Sequence, residues 1–252
     1  MKSIALYMQY SYKCDIYIQG EIMNIQLCIL NAEGILFDTN KSLVELWQST
    51  ADQHNLSIPE GFFENILAAG CGHRQKVFYQ YPQLTQLEKT VTDKKRLLHS
   101  TIQPQITEVL DYLKSKGIKI AIVSDNSRQN IDPQIEVLMK NYDINILVCA
   151  NEVLNGKPDP DIYFKAAKLS NVKPSNTLVI DDSRNGCYSA HLAYMRSVFY
   201  QHSLPLSERL YKYSYRQISK LYEIIGIINQ ENDPHAKVIF LFFQIQSHHF
   251  QM

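Results

Sequence analysis

Leu27-Cys28-Ile29-Leu30-Asn31-Ala32-Glu33-Gly34-Ile35-Leu36-Phe37-Asp38-Thr39 is an apolar run that turns polar, crosses a glycine and becomes apolar again. A short apolar run closed by polar residues and Gly reads as a buried strand ending in a tight turn. The same signal returns downstream. Ile118 to Val123, Ile146 to Cys149, Thr177 to Ile180 and Ser197 to Tyr200 join Gln26 to Leu30 as short runs separated by helix-like stretches. That alternation predicts parallel strands with crossover helices, an α/β fold built on a doubly wound parallel sheet. In one connection Ile106, Val109, Leu110 and Leu113 recur at helical spacing, and Gly117 stops the helix before the strand at Ile118. In another, Asp159 caps and Pro160 fills the first turn of a helix whose inner face is Ile162, Ala166 and Leu169. Lys157 then sits in the loop just before that helix.

Lys41 to Gln103 breaks the alternation. Leu43, Leu46, Trp47 and Thr50, then Leu87, Val91 and Leu98, follow helical periods without a convincing strand. This stretch reads as a helical insertion at 41–103, ending near Pro104. Two chain crossings would join it to a sheet domain formed by 24–40 and 104–203, and such a joint can hinge. Residues 1–23 read as an extension, Tyr- and Gln-rich with weak alternation. At 204–252, Leu206 to Asn229 reads as a helix and Lys237 to Gln246 as an aromatic, strand-like tail.

The 252 residues, 45% hydrophobic and 20% charged, lie in the globular range and far from the composition of disordered chains. Lys plus Arg (25) equals Asp plus Glu (25), so no net field favours nucleic acid or an anionic membrane, and neither is expected as a partner. Five scattered cysteines form no C-x-x-C pair, which favours a reducing, cytoplasmic compartment. No signal peptide is read near Ile4 to Met8. The most apolar run, Val238 to Phe243, is far short of the roughly 20 residues of a membrane-spanning helix.

Four blocks now stand in order: Asn31-Ala32-Glu33-Gly34; Ser124-Asp125-Asn126; Gly156-Lys157-Pro158-Asp159-Pro160-Asp161; and Asp181-Asp182-Ser183 with Gly186 following. In this order they resemble the signatures of the haloacid dehalogenase superfamily, in the branch of phosphoglycolate phosphatases and β-phosphoglucomutases. The resemblance covers about residues 24–203, and it implies a Rossmann-like core with an inserted helical cap. In an open parallel sheet, ligands bind outside the carboxyl ends of the strands, where these blocks fall. The Ser124 hydroxyl, the backbone N–H groups of the Asn31 to Gly34 turn and the Lys157 ammonium suit a phosphoryl group. Asp125 stands beside Ser124 in the same phosphate-binding block. Asp181 and Asp182 supply oxygens suited to Mg²⁺, and the resemblance makes Asp182 the direct ligand and adds the side chain of Asn31 and the backbone of Glu33. His73 and Arg74, in a glycine-containing break of the cap, resemble a substrate-specificity loop; a solvated turn is the alternative. His191 is left out as structural.

The superfamily's reaction needs a carboxylate nucleophile and, two residues later, an acid that protonates the leaving oxygen. Those positions hold Asn31 and Glu33. An amide oxygen is a poor nucleophile, and removing the nucleophile from an unrelated hydrolase costs on the order of 10⁶ in turnover. Glu33 keeps an acid but shifts it by a methylene, and misplacement of about 1 Å costs roughly 100-fold. Asn31 also removes a charge that would repel phosphate and can donate to it, while weakening metal binding. Asp38, beyond the turn, is no substitute nucleophile. The sequence therefore predicts a small-metabolite phosphate and Mg²⁺ pocket with turnover lost or severely impaired, in a monomer or weak oligomer. Two alternatives stand beside it: an active Mg²⁺-dependent phosphomonoesterase, and an interaction module using Phe240, Phe242 and Phe243.

Overall fold

The computed structural model describes residues 24–68, 74–95, 102–131, 133–201 and 213–233. Five strands follow the apolar runs: β1 (Leu27–Asn31), β2 (Lys119–Ser124), β3 (Leu147–Cys149), β4 (Thr177–Asp181) and β5 (Arg196–Tyr200). A sixth, β6 (Arg216–Ile218), extends one edge. The order is β3-β2-β1-β4-β5-β6, with every neighbouring pair parallel. Helices α1 (Thr39–Gln53), α2 (Phe62–Ala68), α3 (Arg74–Phe78) and α4 (Thr85–Lys95) fall between β1 and β2. The others are α5 (Ile106–Ser115), α6 (Gln134–Asn141), α7 (Asp161–Ser170), α8 (Arg184–Leu192) and α9 (Glu223–Asn232).

The central strands read as unbroken apolar runs because both of their faces are covered. Cys28, Leu30, Ile120, Ile122, Leu178 and Ile180 point to one side, against Ile106, Val109, Leu110 and Leu113 of α5, Ile135 of α6 and Ile224 of α9. Their neighbours Leu27, Ile29, Ala121, Val123 and Val179 point to the other, against Ile162, Tyr163 and Ala166 of α7 and Ala190 of α8. The period of two along each strand thus sorts the chain into two apolar layers around one sheet. Helix α5 ends where Gly117 takes a φ of +65°, and Ile118 N–H turns back to Leu113 O at 3.0 Å. That left-handed stop is what glycine permits at low cost.

The helices between β1 and β2 pack on a separate apolar cluster, in which Trp47 meets Phe62 edge-on at 4.9 Å. Asp38 opens this region by accepting from Lys41 N–H as the N-cap of α1. The two crossings lie side by side: Gln103 N–H donates to Leu36 O at 2.9 Å, and its side-chain amide donates to Gly34 O at 3.3 Å.

Three sequence expectations need correction. Leu206 to Asn229 is not one helix: Arg216–Ile218 pairs with β5 as an edge strand, and the following helix runs from Glu223 to Asn232. With Arg216 and Gln217 exposed and only Ile218 buried, a three-residue strand leaves no period-two signal. Helix α7 begins at Asp161, with Pro160 at the N-cap position and no side-chain cap from Asp159. Its inner face is Ile162, Tyr163, Ala166, Ala167 and Ser170, and Leu169 is 57% exposed. At about 100° per residue the buried arc centres between Tyr163 and Ala166, which turns Leu169 to its margin. The expected 1–23 extension and the 237–246 tail with its phenylalanines lie outside the described residues. Among the described residues no helix is long and apolar enough to cross a membrane.

Candidate functional site

Because β1, β2 and β4 are parallel neighbours, their carboxyl ends bring Asn31, Ser124 and Asp181 to one edge of the sheet. Lys157 reaches in from the loop before α7. Its ammonium, 7% exposed as a residue, donates to Asn31 Oδ1 at 3.0 Å and Asp181 Oδ2 at 2.8 Å and lies 3.5 Å from Asp125 Oδ1. Burial works against its charge, but Asp125 and Asp181 outweigh it and hold the group well above lysine's ordinary range. Burial, with Asp181 and Glu33 adding repulsion, pushes the Asp125 carboxyl up to about 6 despite Lys157.

Asp181 is fully buried and surrounded by donors. Oδ2 also accepts from the Tyr163 hydroxyl at 2.8 Å, and Oδ1 accepts from Ser183 N–H at 2.8 Å and its hydroxyl at 2.7 Å. Backbone closes in as well: a Cβ built on Gly186 would stand 2.1 Å from the Asp181 carboxyl, and one on Gly34, at φ +83°, would stand 2.0 Å from Asp182 Oδ2. Tyr163, Asn126 and Gly186 are parts of the site that sequence reasoning did not assign, and for Gly34 it named only the backbone N–H groups of its turn. The glycines stood in the quoted blocks, but only the carboxylate approach explains them.

Asn31 is held in one sense. Lys157 has only donors to offer, so the amide turns Oδ1 toward it and Nδ2 away. Nδ2 then donates to Glu33 O at 2.6 Å and reaches Asp182 Oδ1 at 3.3 Å. Ser124 and Asn126 turn elsewhere: both donate to Glu33 Oε1, each at 2.7 Å, while Asn126 N–H donates to Ser124 Oγ at 3.0 Å. Glu33 Oε2 is buried with no hydrogen-bond partner among the described residues.

The expected Mg²⁺ ligands do not fit the ion as arranged. An amide N–H₂ faces Glu33 O and Asp182 Oδ1, where a cation needs acceptors, and Asp181 is saturated by Lys157, Tyr163 and Ser183. Among the described residues, no group of three His, Cys, Asp or Glu is placed to hold a metal. Among the described residues no thiol is poised to ionise: burial pushes those of Cys28 and Cys149 up to about 12 and 11 and raises that of Cys187 as well.

The remaining predicted residues are placed as follows. His73 lies outside the described residues, and Arg74 is the first residue of α3, with its side chain outside the description. His191 stacks on Tyr188 and lies 5.5 Å from the Tyr213 ring centre.

Residues 31–200 match the haloacid dehalogenase-like hydrolase family, two thirds of the chain, beginning at Asn31 itself. The chain belongs to that family. Among haloacid dehalogenase-like relatives it is 24% identical over 214 residues to a phosphorylated carbohydrates phosphatase of Thermotoga maritima, covering 82% of this chain and 99% of that protein. A haloacid dehalogenase family hydrolase from Deinococcus radiodurans, solved with bound phosphate and sodium, superimposes with a TM-score of 0.66 at 18% identity, over 82% of this chain and 96% of that one. CbbY from Rhodobacter sphaeroides, as an Asp-to-Asn variant in complex with xylulose-(1,5)bisphosphate, gives a TM-score of 0.58 at 18% identity, over 78% and 94%. These structural likenesses establish a shared fold.

Proposed function

We infer that this haloacid dehalogenase-like protein captures a small phosphorylated metabolite and has lost, or nearly lost, phosphatase turnover. The observation that carries this reading is the Asn31 amide, whose oxygen is committed to the buried Lys157 ammonium. Such an oxygen lacks the negative charge of a carboxylate, and one of its two lone pairs already faces the ammonium. Capture keeps its means. Ser124, Asn126 and Lys157 are donors gathered at the carboxyl edge of the sheet, and an amide in place of a carboxylate removes one repulsive charge. Mg²⁺ affinity is weakened, because Asn31 turns its N–H₂ toward the expected ligands Glu33 O and Asp182. The ligand class is a sugar phosphate or similar metabolite, in line with the name of the Thermotoga relative. The protein acts as a monomer or weak oligomer in the cytoplasm.

Conversion of Asn31 to Asp after synthesis would restore a nucleophile. That route requires Ala32 N to attack the side-chain carbonyl, and Ala32 N–H is engaged with Val123 O at 2.8 Å. The amide is therefore expected to persist. The second reading, an active Mg²⁺-dependent phosphomonoesterase, is favoured by the phosphatase name of the relative.

Turnover of p-nitrophenyl phosphate and a panel of sugar phosphates by wild type and Asn31→Asp separates the two. The wild type is expected to be slower by at least ~10⁴-fold, the scale seen when catalytic groups are removed from other hydrolases. Equal turnover, with intact mass showing an amide still at Asn31, would establish the active-enzyme reading instead.

A further inference from the structure

Glu33 stands where a general acid would, yet its side chain does something an acid poised for a leaving group does not. Its Oε1 accepts from the Ser124 hydroxyl and from the Asn126 amide, each at 2.7 Å. These are the neutral donors that the strand end of β2 presents to an anion. Carboxylate and phosphate oxygens compete for donors of this kind, since both are pure acceptors with similar reach. We propose that Glu33 is a built-in occupant of the phosphoryl pocket, a tethered carboxylate that a phosphorylated ligand must displace in order to bind. This rests on the phosphate-pocket reading above and adds to it the gate that sets which anions enter.

Three observations make the occupant displaceable rather than permanent. Only one of its oxygens is satisfied, for Oε2 is buried with no hydrogen-bond partner among the described residues. A buried, unsatisfied carboxylate oxygen loses its water without compensation. A second carboxylate, Asp125, stands close enough for Glu33 to add to the repulsion that raises its pKa. Glu33 is also only half-buried, and its side chain has rotatable bonds by which the carboxylate can leave the two donors. A ligand with two or three anionic oxygens can use Ser124, Asn126 and Lys157 together, which Glu33 with one engaged oxygen does not. Monoanions with a single acceptor oxygen to offer gain nothing over the resident carboxylate. Reach depends on the length of this side chain: an Asp at 33 falls short by one C–C bond, ~1.5 Å, and leaves both donors open.

Calorimetric titration of the full chain with orthophosphate, without added metal and at fixed pH and salt, tests the gate. Glu33→Ala and Glu33→Asp are both expected to bind at least ~10-fold more tightly than wild type, and adding Ser124→Ala is expected to remove the gain. The Asp variant keeps the charge, so it also serves if the Ala variant unfolds. If wild type, Glu33→Ala and Glu33→Asp bind equally while Ser124→Ala weakens each, the pocket stands and the gate is overturned. If none of them binds phosphate, the pocket reading falls and the gate with it.

Discussion

Lys157 illustrates how one side chain holds a site together. It is a buried cation facing Asp181, and its removal leaves that carboxylate with no opposite charge in contact among the described residues. Breaking a buried pair from one side costs about 3–5 kcal/mol. Lys157→Ala is therefore expected to lower unfolding stability by that amount in urea, and Asp181→Asn in the same chain is expected to restore part of it, because the stranded charge is gone. Equal losses in the single and double variants would show that the pair is not the source.

Asp125 adds a pH signature. Its carboxyl is pushed from 3.8 up to about 6 by burial, with Asp181 and Glu33 adding to the shift and Lys157 opposing it. Between those values the folded protein holds a proton that the unfolded chain has released, so stability falls as pH rises through that window. The loss is on the order of 2 kcal/mol, and Asp125→Asn is expected to flatten it in urea unfolding measured from pH 4 to 7. A wild-type curve already flat over that range would count against the buried carboxyl. Gly186→Ala is the steric counterpart: a Cβ 2.1 Å from the Asp181 carboxyl forces a shift, with an expected loss of about 1–3 kcal/mol in thermal unfolding.

Elements were legible where burial is two-sided. The strands β1, β2, β3, β4 and β5 announce themselves as apolar runs because helices cover both faces, and α5 because its apolar residues and its glycine stop agree. Leu113→Ala, in the middle of that agreement, is expected to cost about 2–5 kcal/mol in chemical denaturation. The edge was not legible. β6 has one buried residue, and its pairing with β5 depends on backbone hydrogen bonds that every sequence can make. The inner face of α7 was misplaced for a different reason: Tyr163 and Ala167 join Ile162 and Ala166 in the buried arc, and Tyr163 also carries a hydroxyl that donates to Asp181.

At the scale of the molecule, parallel topology explains why residues more than 150 positions apart in sequence, Asn31 and Asp182, touch. The four blocks were readable in the sequence, with Asn31 heading the first of them. What no block discloses is how the donors are shared. Asn31 turns to Lys157 and Glu33 to Ser124 because buried cations and hydroxyls claim the nearest acceptors, and that follows only from three-dimensional distances. The orientation has a whole-protein readout, since a ligand that prefers the folded state raises its stability. Mg²⁺ is expected to leave the melting temperature of wild type unchanged and to raise that of Asn31→Asp, in which position 31 offers the ion an oxygen.

The central claim is that the pocket holds phosphate without being able to take it up covalently. Intact-mass analysis of the wild type and Asn31→Asp, quenched in acid after mixing with Mg²⁺ and acetyl phosphate, addresses this directly. The added mass of one phosphoryl group is expected on Asn31→Asp and none on the wild type. A phosphoryl adduct mapped to residue 31 of the wild-type protein would contradict it.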